Sequence, residues 1–257
     1  MVINKETGTR FLAVIIMAAG KGTRMKSDFP KILHPLNGRP MVSHVLDIAR
    51  SLRPNRLILI VGFQKGRVME AVKANDIIFV HQDNPQGTGH AILQTEVALD
   101  GFSGDVLILS GDVPLLPEPV LDDFVQFHRQ TNAWMTLMTA NLEDPTGYGR
   151  IVRDENGFVT AIIEEKDADD RIRGIKEFNS GIYLIRSDSL FDRLKQISND
   201  NAKSEYYLTD IVGIAVRDGL MVAANKIEDA NLVLGINTVE ELAEAEHVLM
   251  RRIAGEQ

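Results

Sequence analysis

The sequence predicts an α/β fold: a Rossmann-like, mostly parallel sheet with helices on both faces, joined to a mixed β extension in its second half. Three observations carry that expectation. Residues 11–19 are an unbroken apolar run, Phe-Leu-Ala-Val-Ile-Ile-Met-Ala-Ala, ended by Gly20. A run that short and rich in Val and Ile is a strand buried on both faces. Strand-like runs then alternate with helical spacing to about residue 140, the pattern of a parallel sheet covered on both sides. Beyond that point short strand-like segments are separated by charged loops.

The elements follow in order. Residues 40–52 place Met41, Val45, Ile48, Ala49 and Leu52 at helical spacing behind a leading proline. Residues 57–62 are a second strand, 65–74 a weaker amphipathic helix and 77–80 a third strand. Ala91, Leu93, Val97 and Ala98 give residues 88–99 a helical apolar face. A fourth strand at 106–109, a helix at 118–131 and a strand at 134–140 complete the alternating part. In the second part, 149–153, 158–164 and 181–185 are strand-like, with Asp-Glu-Asn-Gly at 154–157 as a hairpin turn. Residues 167–177 are densely charged and are expected to be a mobile, solvated segment. Helices are expected at 187–197 and 205–216, and a late strand at 221–224. The last helix opens on Thr238-Val-Glu-Glu241, a capping-box spacing, with Val239, Leu242, Val248, Leu249 and Ile253 on its apolar side.

Composition narrows the function. The 257 residues are 44% hydrophobic, enough for a sizeable core, and carry a net charge of −8. An acidic chain is a poor match for a nucleic acid or an anionic membrane, so neither is expected as a partner. With no cysteine, disulfides, thiolate metal sites and cysteine nucleophiles are excluded. Arg10 before the apolar run imitates a signal peptide, but Glu6 before it and the glycine turn after it favour a strand. No run approaches the ~18 apolar residues of a membrane span, and a soluble, cytoplasmic protein is expected. Residues 1–10 are polar and are expected to form a flexible tail.

The chemistry gathers around Gly20-Lys-Gly22-Thr-Arg24 and Lys31. A buried strand running into a glycine-rich basic turn suits a nucleotide phosphate at the carboxyl end of a parallel sheet. The Walker spacing is not met, and a dinucleotide fingerprint needs glycine where Met25 stands. On the turn alone, two solvated cations at an ordinary loop remain an equal reading. Gln82 precedes Gly87-Thr88-Gly89, where a helix begins and free N–H groups face outward. Its amide suits one edge of a base, although on this segment alone a solvated glutamine beside a helix cap is the better reading. Asp112 follows an apolar strand and is a natural Mg²⁺ ligand beside substrate phosphates, its alternative being a cap for the next element. Glu164, Asn179 and Asn237 stand beside turn-forming glycines or a second carboxylate; alone they suit a solvated rim and turns. The six histidines lack metal-ligand spacing; His34 and His90 are expected in packing or loop roles, and Trp134 in the core.

The longer patterns are more specific. Met-Ala-Ala-Gly-Lys-Gly-Thr-Arg-Met at 17–25, with Pro-Lys at 30–31, resembles the signature loop of the sugar-phosphate nucleotidyltransferases. Gly-Thr-Gly-His-Ala at 87–91, Gly-Asp-Val-Pro-Leu-Leu at 111–116, Pro-Thr-Gly-Tyr-Gly-Arg-Ile-Val at 145–152, Phe-Asn-Ser-Gly-Ile at 178–182 and Gly-Ile-Asn at 235–237 follow in order. Together they are similar to the uridylyltransferase domain of bacterial N-acetylglucosamine-1-phosphate uridyltransferases. The resemblance implies a nucleotidyltransferase fold of glycosyltransferase-A type, its β extension covering a sugar site, over residues 11–237, with a C-terminal helix at 238–257. It implies Mg²⁺-assisted, in-line transfer of uridylyl from UTP to N-acetylglucosamine 1-phosphate, with release of pyrophosphate. By that resemblance Ala18, Ala19, Gly20, Gln82, Gly87 and Thr88 hold uridine, and Arg24 and Lys31 hold phosphates. Asp112 and Asn237 hold Mg²⁺, and Gly149, Glu164 and Asn179 hold the sugar. Met17, Ser110 and Gly111 are counted with the substrate-contacting residues, and Arg24, Lys31 and Asp112 with the catalytic ones.

There are departures. Met17 stands where leucine is usual, Pro85-Gln86 where Gln-Leu is usual, and Thr238 where a second asparagine is often found. The bifunctional members of that family continue into hexapeptide repeats that acetylate a sugar phosphate. No such repeat occurs in these 257 residues, so acetyl transfer is not expected of them, and the oligomeric state, monomer or weak oligomer, stays open. A nucleotidyltransferase for another sugar 1-phosphate or for dTTP, and a nucleotide-sugar sensor without turnover, are the rival readings.

Overall fold

Nine consecutive apolar residues can be buried only if both faces of their strand are covered, and β1 (Phe11–Ala18) is so covered. Leu12, Val14, Ile16 and Ala18 point into one core cluster, and Ala13 and Ile15 into another. Each fully buried Val or Ile contributes about 1.5–3 kcal/mol, so this strand anchors both layers. The computed structural model describes residues 10–25 and 27–254; the expected tail before Arg10 lies outside them.

A two-residue hairpin, β2 (Pro35–Leu36) and β3 (Arg39–Pro40), leads into α1 (Met41–Ser51). Then come β4 (Arg56–Val61), α2 (Lys65–Ala71), β5 (Ile77–His81), α3 (Thr88–Leu93), β6 (Gly104–Ser110), α4 (Glu118–Thr131) and β7 (Met135–Asn141). The second part comprises β8 (Arg150–Arg153), β9 (Val159–Ile163), α5 (Asp170–Arg173), β10 (Glu177–Arg186), α6 (Leu190–Leu194), α7 (Asp210–Arg217), β11 (Val222–Lys226) and α8 (Val239–Ala254). The main sheet runs β11-β7-β10-β6-β1-β4-β5, with β8 attached to β10 and β9 to β8. The pairs β6/β1, β1/β4, β4/β5 and β7/β11 are parallel, and β10 is antiparallel to both of its neighbours. Residues of α1, α2 and α4 fill one core cluster, and residues of α3, α6 and α7 the other, so helices cover both faces as expected. A third cluster, with Leu36, Met41, Leu115 and Ile236, receives α8 through Leu242, Ala245, Val248 and Leu249.

Five expectations need correction. The strand expected at 181–185 is no part of an outlying extension: β10 is ten residues long and is inserted between β6 and β7. The segment at 167–177 is ordered, because Asp169 accepts a hydrogen bond from Ile172 N (2.8 Å) to cap α5 and buried Ile172 anchors the turn. The helix expected at 88–99 ends at Leu93; a 3-10 turn follows in which Val97 is 87% exposed rather than core-facing. The helix expected from 205 starts only at Asp210, because the preceding residues pair with a distant loop. On α8, Val239 is exposed, and the side chain of Ile253 lies outside the described residues. The hairpin turn holds: Asp154 Oδ1 accepts from Asn156 N (2.9 Å) and Phe158 N (2.8 Å), and Gly157 has φ +83°.

At the amino-terminal edge of the sheet, Asp105 is fully buried on β6. Arg10 and Arg129 each lie 3.2 Å from its carboxylate, and His128 Nε2 lies 3.7 Å away while its Nδ1 meets Thr136 Oγ1 at 2.7 Å. Burial alone pushes Asp105 up, but His128 and Arg10 outweigh it and hold the carboxyl below the usual range. A carboxyl depressed in this way adds stability above its unfolded pKa and loses it as pH falls through the folded pKa. Asp105→Ala therefore leaves the half-buried Arg10 and Arg129 without their carboxylate and costs about 3 kcal/mol. Urea unfolding across an acid pH series should show that loss near neutrality, and a shallower acid decline in the variant.

Candidate active site

Parallel pairing of β1 with β6 sets Met17 opposite Ser110, so the loops leaving the two strands start side by side. Gly111 N donates to Met17 O at 2.9 Å, and a Cβ on Gly111 would stand 3.1 Å from that oxygen. The adjacent β4 and β5 bring Gly62 and Gln82 to the same edge. A side chain at Gly62 would meet Ala19 O at 2.8 Å, a close approach that makes Gly62 part of the loop's support. Because β10 runs backwards, its first residues, including Asn179, reach this carboxyl-terminal edge as well.

The glycine-rich turn is held by Lys31. Gly22 has φ +65°, and a Cβ there would fall 2.4 Å from Lys31 Cβ, so an L side chain would displace the lysine. Lys31 Nζ forms an ion pair with Asp112 Oδ2 and donates to Asn237 Oδ1 at 2.9 Å. Arg24 donates to the same Asn237 oxygen at 2.8 Å. Ser110 Oγ donates to Asp112 Oδ1 at 2.6 Å, and Ile236 N to Asp112 O at 2.9 Å. Asn237 is oriented from behind: its Nδ2 donates to Gly235 O (2.7 Å) and its backbone N to Glu241 Oε2 (2.5 Å). Glu241 N donates in turn to Thr238 Oγ1 (3.1 Å), so the capping box of α8 also fixes Asn237. Asp112 and Asn237 thus offer two hard oxygens to one point. That set suits Mg²⁺, which takes its remaining ligands from phosphates and water. Among the described residues no group of three or more His, Asp or Glu is arranged for a metal.

Two compartments share Met17, Arg24, Thr88, Ser110, Asp112 and Asn237. The first, of about 390 Å³, is also lined by Ala18, Ala19, Gly20 and Lys31. The second, of about 300 Å³, contains Glu164, Asn179, Gly147, Tyr148, Tyr183 and Thr209. Among the expected residues, Gln82, Gly87, Gly111 and Gly149 line neither compartment. Gln82 is 5% exposed; its amide nitrogen donates to Gly87 O (3.0 Å) and lies 3.0 Å from His90 Nδ1. Gly149 O accepts from Asn179 N at 2.8 Å, and a Cβ on Gly149 would lie 2.9 Å from Ile162. These residues set the walls from behind.

Burial pushes Glu164 above the usual carboxyl range, against the hydrogen bond it accepts from Thr209 Oγ1 at 3.0 Å. Asn179 Nδ2 donates to Tyr183 OH at 2.7 Å, and burial also pushes that phenol up, so it stays neutral. Thr209 and Tyr183 are absent from the sequence-derived set. Thr209 belongs to a strap, 206–209, that joins the two compartments. Tyr206 N donates to Gln86 O (2.7 Å), Gly89 N donates to Tyr206 O (2.8 Å), and Leu208 N donates to Thr88 Oγ1 (3.0 Å). Gly87, at φ +112°, has no room for a Cβ because Tyr206 O would stand 2.5 Å away. In the sequence, Tyr-Tyr-Leu-Thr carries no signal of that pairing and merges into the helix after it.

The chain matches a family model described as the MobA-like NTP transferase domain over residues 14–209. It is 46% identical over 243 residues to the bifunctional protein GlmU of Pelobacter propionicus, covering 94% of this chain and 53% of that protein. It is 47% identical over 246 residues to GlmU of Geobacter sulfurreducens, covering 95% and 52%. The chain therefore spans about half the length of the curated relatives it matches. In fold it is similar to a crystal structure from Bacillus anthracis named as a glucose-1-phosphate thymidylyltransferase, with a bound sucrose. The TM-score is 0.71 at 19% identity, over 92% of this chain and 94% of that one.

Thr209→Val removes the hydroxyl that donates to Glu164 while keeping the shape. The Glu164 carboxyl should then titrate at still higher pH, which ¹³C NMR of labelled glutamate measures.

Proposed function

The chain belongs to the MobA-like NTP transferase family, and from that premise we propose that it transfers uridylyl from UTP to N-acetylglucosamine 1-phosphate, releasing pyrophosphate. The observation that carries this reading is the convergence of Arg24, Lys31, Asp112 and Asn237 where the two compartments meet. A triphosphate in the first compartment and a sugar phosphate in the second would bring their phosphates to that point. The resemblance to uridylyltransferase domains and the likeness to the GlmU proteins support the choice of substrates.

The chemistry asks little of acid–base catalysis. A sugar phosphate is already an anionic nucleophile at neutral pH, so no general base is needed. The barrier lies in bringing two polyanions into line and stabilising the charge that grows on the leaving pyrophosphate. Arg24 and Lys31 supply fixed positive charge for both tasks. Asp112 and Asn237 would hold Mg²⁺, which supplies further charge neutralisation on the phosphates when bound. Met17 to Gly20 and Thr88, supported by Gln82 and Gly87, would receive the nucleoside. Glu164, as carboxylate, would accept a sugar hydroxyl proton in a hydrogen bond, with Asn179 beside it. Among the described residues no helix is long and apolar enough to cross a membrane.

Pyrophosphate release with UTP, Mg²⁺ and N-acetylglucosamine 1-phosphate tests the reading, with glucose 1-phosphate, glucosamine 1-phosphate and dTTP run beside them. Release confined to UTP and the acetylated sugar is expected. Preference for another pair would keep the chemistry and change the substrate, and a folded protein that binds UDP-sugar without turnover would overturn the enzyme. Asp112→Ala should lower kcat/KM by about 10²–10³ and weaken its Mg²⁺ dependence. Near-normal rates at low Mg²⁺ would remove Asp112 from the metal site. Because burial raises Glu164, sugar-phosphate affinity should fall with decreasing pH, starting above the range of an ordinary glutamate. Glu164→Gln should lower affinity and flatten that acid limb in a KM–pH series.

A further inference from the structure

Arg150 carries a full charge at 1% exposure on β8. Its guanidinium donates to Tyr148 O and meets Glu165 Oε2 at 2.8 Å; its Nε has no partner among the described residues. Glu165 Oε2 also accepts from Gly147 N at 3.3 Å, and Arg173 lies 3.5 Å from Glu165 Oε1. Burying such a pair is costly, and an apolar pair of similar volume often stabilises a fold as well or better. Its position offers a reason other than stability. The β8–β9 ladder begins at Arg150 opposite Ile163, so residues 147–149 and 164–165 lie beyond the last paired position. Those two stretches carry Gly147, Tyr148 and Glu164, three walls of the second compartment. The side chains of Arg150 and Glu165 close the gap that the ladder leaves open.

The geometry points to Arg150 and Glu165 as positioning residues for the sugar phosphate: together they set the spacing between the Gly147–Tyr148 wall and the Glu164 carboxylate. Neither lines the compartment, so both act through the backbone they hold. This inference rests on the proposed reaction and assigns the sugar half of its specificity to a clamp outside the site. Thr209 holds the Glu164 carboxylate by a separate hydrogen bond of 3.0 Å.

The test is steady-state kinetics of the full chain, with KM determined separately for the sugar phosphate and for UTP, alongside thermal melting. Glu165→Ala should raise the sugar-phosphate KM roughly tenfold while leaving the UTP KM and kcat within about twofold. Glu165→Gln, which keeps an oxygen for Arg150 and Gly147 N, should recover most of that loss. Arg150→Lys should show the same selectivity. If it fails to fold, Glu165→Ala decides alone, since the Glu165 side chain is already 25% exposed. A folded Glu165→Ala in which both KM values rise equally, or neither changes, overturns the clamp. A wild-type chain that turns over no sugar phosphate overturns the proposed reaction and this inference with it; an active wild type with an unselective variant overturns the inference only.

Discussion

The register between β1 and β6 is the constraint on which the rest of the site depends. Met17 opposite Ser110 makes two sequence-distant loops leave the sheet as neighbours, and a slip of one residue would turn both to the wrong face. That register is secured by burial: the side chains of both strands alternate between two apolar layers, and neither layer tolerates the other's set. Carboxyl ends of parallel strands are a favoured ligand edge because loops there are free to vary while the strands hold them rigidly. Here the edge collects a glycine turn with two cations from one strand and a carboxylate from the next.

The opposite edge of the same strands is arranged for stability. Asp105, at the start of β6, is itself fully buried and gathers two half-buried arginines, whereas Asp112, two residues past its end, faces a cleft. The chain is acidic as a whole, yet Arg24 and Lys31 face one amide oxygen with Asp112 as their only carboxylate partner among the described residues. A local excess of positive charge is the kind of field that draws in anions. The arrangement leaves like charges close together, and their repulsion is tolerated because Asn237 is held from behind by Gly235 and by the capping box of α8.

The second compartment depends on a reversal of strand direction. Had β10 run with its neighbours, its last residues rather than its first would face the cleft, and Asn179 would lie at the far edge. Its register shift between Asn179 and Tyr183, with Gly181 at φ +78°, turns Asn179 so that its amide reaches the Tyr183 hydroxyl. The strap at 206–209 then ties the two compartments through Thr88 on one side and Glu164 on the other.

The strand–helix alternation, the two-sided burial of β1, the glycine turn and the capping box were all legible in the sequence, because each is a short-range pattern of apolar period, turn chemistry or cap spacing. So were Arg24, Lys31, Asp112 and Asn237, whose grouping followed from a resemblance spread along the chain. Thr209, Tyr183, Gly62 and the Arg150–Glu165 pair were not legible as site residues. Their roles arise from pairings across 45 residues in one case and across a reversed strand in another, and no local period encodes a partner that far away. The same reason explains why residues 205–209 read as helix: local propensity was overruled by backbone hydrogen bonds to residues 86–89. The sequence by itself determined which strands would be buried and which loops would carry charge. Only the tertiary structure decided where β10 would insert, which way it would run, and hence which side chains would meet across the cleft, because those choices turn on contacts between elements rather than on any element's own residues.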